Sequence, residues 1–343
     1  MTVDGEARWL EGSADVWARA RARWAEQPVD LDLCGRPAEP FATSRFTIAE
    51  PQTVSGPGTF FGRATRTVRI EPHDGEGWWI DRSDIPDALP TRVSVRNVWT
   101  TGYLVSNIVL RSGPPHNYVR VVEHLVAMKL GLGIDSLMVR IDSGDPPLFD
   151  RGSLDFVEAI ERGGRRELPG RARYLTVKEP VAMCAPNGAF LVLRPPSGGA
   201  PRLLLDVAID FPNAIGRQRI RFVLDRGLFR QGAVARTNTS SARKLYCQTV
   251  GRLFADVRHL GYTKENVLVA GRRRYHNEPR LVHEGKALEA AWHRAVLDLL
   301  AALALVEEGR FVGDVVSYKS GHALDVRMVT RLYRDGLLEE VRQ

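Results

Sequence analysis

Along the 343-residue chain, apolar and polar positions fall into two successive blocks of similar pattern. In the first, Arg66-Thr67-Val68-Arg69-Ile70 alternates polar and apolar before Pro72, which predicts a half-buried strand. Trp78-Trp79-Ile80 and Val93-Ser94-Val95 read as further strands. From Tyr118 to Leu130 the period lengthens. Val119, Val122, Leu125, Val126 and Leu130 share one stripe, predicting a helix that Gly131 and Gly133 end. Leu137 to Ile141 returns as a strand. Phe156 to Ile160 is a short helix stopped by Gly163-Gly164.

The second block repeats the order. Tyr174–Val177, Phe190–Leu193 and Leu203–Val207 read as strands, Leu228–Gln231 and Leu245–Leu260 as helices, and Val267–Val269 as a strand before the basic turn Gly271–Arg274. Ala287 to Val306 is the longest helix, apolar almost all round and therefore buried. Val312–Tyr318 follows as a strand and Val326–Leu337 as a closing helix. Each block thus runs strands, a helix carrying a histidine, then a strand, the pattern of a duplication. We expect an α+β protein with a first domain over 46–172 and a second over 173–343. Residues 1–45 stand apart as an N-terminal extension: Trp9 to Trp24 has helical spacing, and Pro37 and Pro40 then mark a linker.

Composition narrows the classes. At 44% hydrophobic and 26% charged, the chain is an ordinary globular one. No run of about 18 apolar residues is present to span a membrane, and the acidic Met1–Glu6 start lacks the apolar core of a signal peptide. Cys34, Cys184 and Cys247 fit no metal or redox spacing and read as reduced thiols of a cytoplasmic protein, which we expect to be a monomer. The net charge of +7 points to an anionic partner. No nucleic-acid-binding motif is present, so a phosphorylated small molecule fits better than nucleic acid; most of the arginines, Arg272–Arg274 aside, are scattered as on a solvated surface.

Two segments carry candidate chemistry. Glu123-His124 lies beside the first apolar stripe, where a charged pair is costly unless it has partners. It reads either as a metal-binding His with an adjacent carboxylate base or as a satisfied core His beside a surface Glu. Tyr318-Lys319-Ser320-Gly321-His322 follows a strand and precedes the last helix, where a Lys and a His could bind an anion and donate a proton.

The run Val122-Glu123-His124-Leu125 with Gly131-Leu132-Gly133-Ile134-Asp135 resembles a signature of the UDP-3-O-acyl-N-acetylglucosamine deacetylase family. Pro147–Ser153 with Phe156-Val157, Glu179-Pro180-Val181, Ala235-Arg236-Thr237 and Tyr318–Leu324 are similar to its further segments, in the same order. The resemblance implies two similar domains, each a sheet with two helices on one face, the helices packed against each other and the active site between them. An insert in the second domain falls near 261–277. It also implies hydrolysis of the N-acetyl group of an acylated, UDP-linked amino sugar, as in lipid A biosynthesis, with a zinc ion polarising the amide and activating water. Glu123 would be the general base and His124 a zinc ligand. His322 would stabilise the oxyanion and protonate the leaving amine, Lys319 would support that site and bind substrate, and Thr237 would contact the tetrahedral centre. Asn238 and Arg294 would line the substrate path.

The resemblance breaks along the long helix. The family places a His and an Asp four residues apart there, one turn apart on one face. This chain reads His293-Arg294-Ala295-Val296-Leu297-Asp298, a spacing of five. Five residues subtend about 140° on a regular helix, so His293 and Asp298 could share a metal only across a π-bulge. Glu289, four residues before His293, is the alternative carboxylate. The family's next acidic position falls on Ala301 or Ala302, the His of an early glycine-rich loop (56–62 here) on Phe60, and an aromatic on Asn238. These losses leave open a catalytically impaired protein that binds a nucleotide sugar or a protein partner.

Overall fold

The structure is a computed structural model that describes residues 7–37, 39–60, 64–102, 106–198, 201–240 and 261–341. The fold is α+β and is built of two halves. In the first half, a five-stranded sheet orders Gln52–Pro57, Thr65–Glu71, Ser136–Ile141, Gly77–Arg82 and Thr91–Arg92. Val98–Thr100, Val109–Arg111 and Tyr118–Arg120 form a separate small three-stranded sheet. In the second half, a seven-stranded sheet orders Arg8–Glu11, Val181–Cys184, Phe190–Arg194, Gly313–Tyr318, Leu203–Asp210, Arg217–Val223 and Leu31–Asp32.

The repeated sequence pattern has a structural counterpart. In each half the strand after the histidine-bearing helix enters mid-sheet, antiparallel to one neighbour and parallel to the other. Val139 lies opposite Ile70 and Ile80 in the first half, and Val315 opposite Leu193 and Leu205 in the second. A parallel neighbour demands a crossover, and the helix supplies it. The apolar faces of both sheets turn inward onto the helices, and one buried cluster runs through both halves, with Leu125, Val126 and Met128 from one side joining Val296, Leu299 and Leu300 from the other.

Several elements differ from the pattern reading. Trp9 and Leu10 belong to the strand Arg8–Glu11, and the helix starts only at Ala14. Gly12 breaks the two: its φ of +125° suits glycine alone, and a Cβ there would meet the Cys184 carbonyl oxygen. Tyr118–Arg120 is a strand, not the first turn of a helix; Val121 at φ +58° turns the chain, and Glu123–Val126 and Met128–Gly131 follow as near-continuous helical turns. Val93–Val95 is not a strand, because Ser94 caps a 3-10 turn over Val95–Asn97. Asp325 lies within the last helix, which runs over His322–Arg334 and so begins earlier than the periodicity suggested. The helix expected over Leu245–Leu260, and Cys247, lie outside the described residues. Near the expected insert, Val267–Ala270 pairs in parallel with Thr237–Ser240.

Candidate active site

Both candidate segments sit at the start of a helix, and each is entered through a strained residue. Val121 (φ +58°) precedes Glu123-His124, and Lys319 (φ +53°) precedes His322. A β-branched residue in the left-handed region is an outlier that persists only where its surroundings over-determine it. Each turn swings its helix N-terminus into the space between the halves. There a cavity of about 370 Å³ is lined by Glu123, Thr237, Asn238, His293, Arg294, Asp298, Lys319 and His322, together with Asp210, Phe211 and Tyr262.

The long helix decides the geometry of that cavity. It is regular over Glu289–His293, turns as a π-helix over Arg294–Leu299, and resumes as α over Leu300–Leu303. A π turn holds one more residue than an α turn, so the fifth residue after His293 returns to its face. Leu297 consequently points into the apolar core, fully buried, while Asp298 reaches the cavity wall. Asp298 Oδ1 stands 3.4 Å from His293 Nδ1 and 3.4 Å from His322 Nε2. The alternative carboxylate is committed elsewhere. Glu289 accepts from Arg236 Nε (2.7 Å), the Arg236 backbone N–H (3.0 Å) and the Arg280 N–H (2.6 Å), a buried ion pair behind Thr237.

His124 and His293 face one another across a single oxygen. The Thr237 hydroxyl lies 3.2 Å from His124 Nε2 and 3.1 Å from His293 Nε2. Behind His124, its Nδ1 meets the buried Ser153 hydroxyl at 3.1 Å. Burial, reinforced by His293, holds His124 down at about 3, so its imidazole is neutral. Burial also lowers His293, but the Asp298 carboxylate outweighs it and the net shift is upward. For Asp298 the same pair works the other way: burial raises it, and His293 with His322 pull it well below the carboxylate range. Glu123 accepts the Ile108 N–H at 3.2 Å, lies 3.9 Å from His322 Nε2, and is pushed up by burial.

As packed, these side chains do not form a closed metal-ligand set. The Thr237 hydroxyl occupies the point on which both Nε2 atoms converge, and no group of three His, Cys, Asp or Glu at metal-holding spacing occurs among the described residues. The donor chemistry nonetheless fits zinc. Two imidazoles turn their Nε2 atoms to one point, and the buried Asp298 Oδ1 stands beside the other nitrogen of His293 and beside His322 Nε2, a donor set of the types zinc takes.

The remaining expected residues fall into two groups. Lys319 Nζ lies at the cavity, 4.0 Å from Asp210, and Asn238 lines the wall. Arg294 reaches the cavity floor but is held in a buried ion pair, donating to Asp325 Oδ1 (2.7 Å) and the Ser317 hydroxyl (3.2 Å). Asp325 also accepts from the Ser320 hydroxyl at 2.6 Å. Pattern reasoning missed Asp325, Ser153 and Arg236. A signal existed for the first, since Asp325 lies one turn after His322 and shares its face. Ala301 and Ala302 are fully buried, and His322 Nδ1 has no partner among the described residues. Phe60 is buried under the Arg120 guanidinium, 3.3 Å from the ring centroid, and does not line the cavity.

The family model for UDP-3-O-acyl N-acetylglycosamine deacetylase (LpxC) matches residues 45–334. The chain belongs to the LpxC family. It is 31% identical over 302 residues to the UDP-3-O-acyl-N-acetylglucosamine deacetylases of Brucella ovis, Brucella canis and Brucella melitensis, covering 86% of this chain and 97% of each relative. Those LpxC relatives are deacetylases by name, and the match spans both histidine-bearing helices and the Lys319–His322 turn. No helix among the described residues is long and apolar enough to cross a membrane.

Proposed function

We propose that this chain is a zinc-dependent hydrolase that removes the N-acetyl group from an acylated, UDP-linked N-acetylglucosamine, the step its relatives' name describes. The observation that carries the reading is the π turn, which puts Asp298 on the same side as His293 and His322 in spite of the five-residue spacing. His124, His293 and Asp298 would hold the ion. Bound there, zinc supplies a Lewis acid that polarises the amide carbonyl and activates water. Glu123 takes the water proton; its burial raises its proton affinity, the direction a general base needs. His322 protonates the leaving amine, and the Lys319 ammonium stabilises negative charge at the carbonyl oxygen. Thr237 contacts the reacting carbon, Asn238 lines the substrate path, and Arg294, tied to Asp325, fixes the floor beneath the substrate. We place the protein in the cytoplasm as a monomer, in keeping with its free Cys34 and Cys184. The domains are assigned to 46–172 and 173–343.

A second reading, a deacetylase-like protein that binds a nucleotide sugar or a protein partner without turnover, draws on the Thr237 hydroxyl seated between the two imidazoles. Turnover of UDP-3-O-acyl-N-acetylglucosamine, followed as released acetate with and without added zinc, separates the two. Zinc-dependent acetate release is expected. Nucleotide-sugar binding without acetate release, at saturating zinc, selects the second reading.

A further inference from the structure

The family model begins at residue 45, so the preceding segment lies outside it. That segment is built into the second half. Arg8–Glu11 pairs in parallel with Val181–Cys184 at one edge of the seven-stranded sheet, and Leu31–Asp32 pairs in parallel with Arg217–Val223 at the opposite edge. The helix Ala14–Ala25 crosses the outer face between them. This face is apolar: Ala20 and Trp24 bury Phe190, Val192, Val316 and Tyr318.

Side chains alternate across a strand. Val316 and Tyr318 therefore face the helix Ala14–Ala25, whereas Val315 and Ser317 face the cavity side, where Ser317 meets Arg294. Tyr318 immediately precedes the strained Lys319. A chain of edge-on and tilted rings reaches it: Trp17 to Phe190 at 4.9 Å, Trp24 to Phe190 at 6.2 Å, and Phe190 to Tyr318 at 5.3 Å. Polar ties follow the same path. Gln27 donates to the Ile209 carbonyl (3.3 Å), and the neighbouring Ala208 carbonyl accepts the Lys319 N–H (2.9 Å). Arg219, paired with Asp206, donates to the Trp24 and Gln27 carbonyls (3.2 and 3.0 Å). Arg331, on the helix that begins at His322, donates to the Leu10 carbonyl at 2.6 Å, and Arg327 pairs with Glu11 at 3.0 Å.

We propose that residues 8–33 are a strap that fixes the Lys319–His322 turn from behind, with Trp17 and Trp24 as positioning residues acting through Phe190 and Tyr318. A left-handed lysine holds its conformation only against a rigid backing, and the strap supplies that backing at both the strand before it and the helix after it. The catalytic side of the proposal rests on the deacetylase reading; the mechanical side does not.

The test uses the full chain with Trp24→Ala, Trp24→Phe and the milder Trp17→Ala, compared by amide hydrogen exchange and by turnover at saturating zinc. In Trp24→Ala, exchange of the Lys319 amide and of 313–318 is expected to quicken on the order of tenfold or more, while 136–141 in the other half stays at parent values. In the same variant kcat falls on the order of 10- to 100-fold with KM nearly unchanged, and Trp24→Phe restores both. If Trp24→Ala does not fold, Trp17→Ala gives the same pattern at smaller amplitude. Lys319 exchange at the parent rate, or quickening that is equal in 136–141, overturns the strap. A parent chain that releases no acetate counts against the proposed function, and the exchange measurement then decides the strap alone.

Discussion

The two helices that bring His124 and His293 face to face solve one placement problem in different ways. The first enters from Val121 and places Glu123 and His124 in its opening turn, so the motif's own contiguity puts the proposed base and the proposed ligand side by side. The second places His293 at the end of one regular segment and Asp298 within a π segment, five positions later. The first is legible from spacing because nothing intervenes between its two functional residues. In the second, His293 and Asp298 stand five positions apart, and the widened π turn brings Asp298 back beside His293. A functional constellation constrains where side chains arrive more tightly than how many residues lie between them. The widened turn lies between two segments that are both packed on the core.

The largest effect should come from the first helix. Glu123→Gln is expected to lower acetate release by about 10²- to 10⁴-fold with an unchanged far-UV spectrum; activity within a few-fold of the parent would remove Glu123 as the base. The second helix is tested by moving its carboxylate. Leu297→Asp combined with Asp298→Ala places an acid at the regular four-residue spacing, but Leu297 faces the core. That double variant should lose zinc and lose about 3–5 kcal/mol in urea unfolding, the range for an unpaired buried charge. Retention of zinc would mean that the helix runs as a regular α-helix in solution.

Two smaller changes sharpen the contrast. Ser153→Ala leaves His124 Nδ1 without its partner and should weaken zinc about 10- to 100-fold in chelator competition, the usual effect of an outer partner to a ligating His. Parent affinity would show that the ring is oriented by packing alone. Last, Arg151 pairs with Asp155 and Glu158 on the exposed face of the neighbouring helix. Its replacement by Ala should change stability by less than about 1 kcal/mol and leave zinc affinity untouched; a larger loss would show that the ion pairs of that face brace the site.

Much of the fold could be read from pattern because each strand and helix serves one buried face. The alternation at Thr67–Ile70 and the apolar run over 287–306 both correspond to observed elements. What pattern could not show is where backbone torsion overrides side-chain preference. Val121 and Lys319 adopt left-handed torsions that no propensity favours, and the turn at Val121 makes Tyr118–Arg120 a strand although Val119 shares the apolar stripe of the helix. Within the site, Glu123, His124, Lys319 and His322 stood out as contiguous motifs. Asp325 and Arg236 did not, because their pairings with Arg294 and Glu289 join elements distant in the chain. Glu289, attractive by its four-residue spacing from His293, turned out to be the partner of Arg236.

The central claim, that the π turn lets His124, His293 and Asp298 serve one ion, is tested most directly by metal content. Parent protein and Asp298→Ala are purified side by side, dialysed against a limited zinc supply and analysed for bound metal. About one zinc per chain is expected in the parent and little in Asp298→Ala, since a catalytic zinc site takes three protein ligands. Equal zinc in both proteins, or none in the parent, would contradict it.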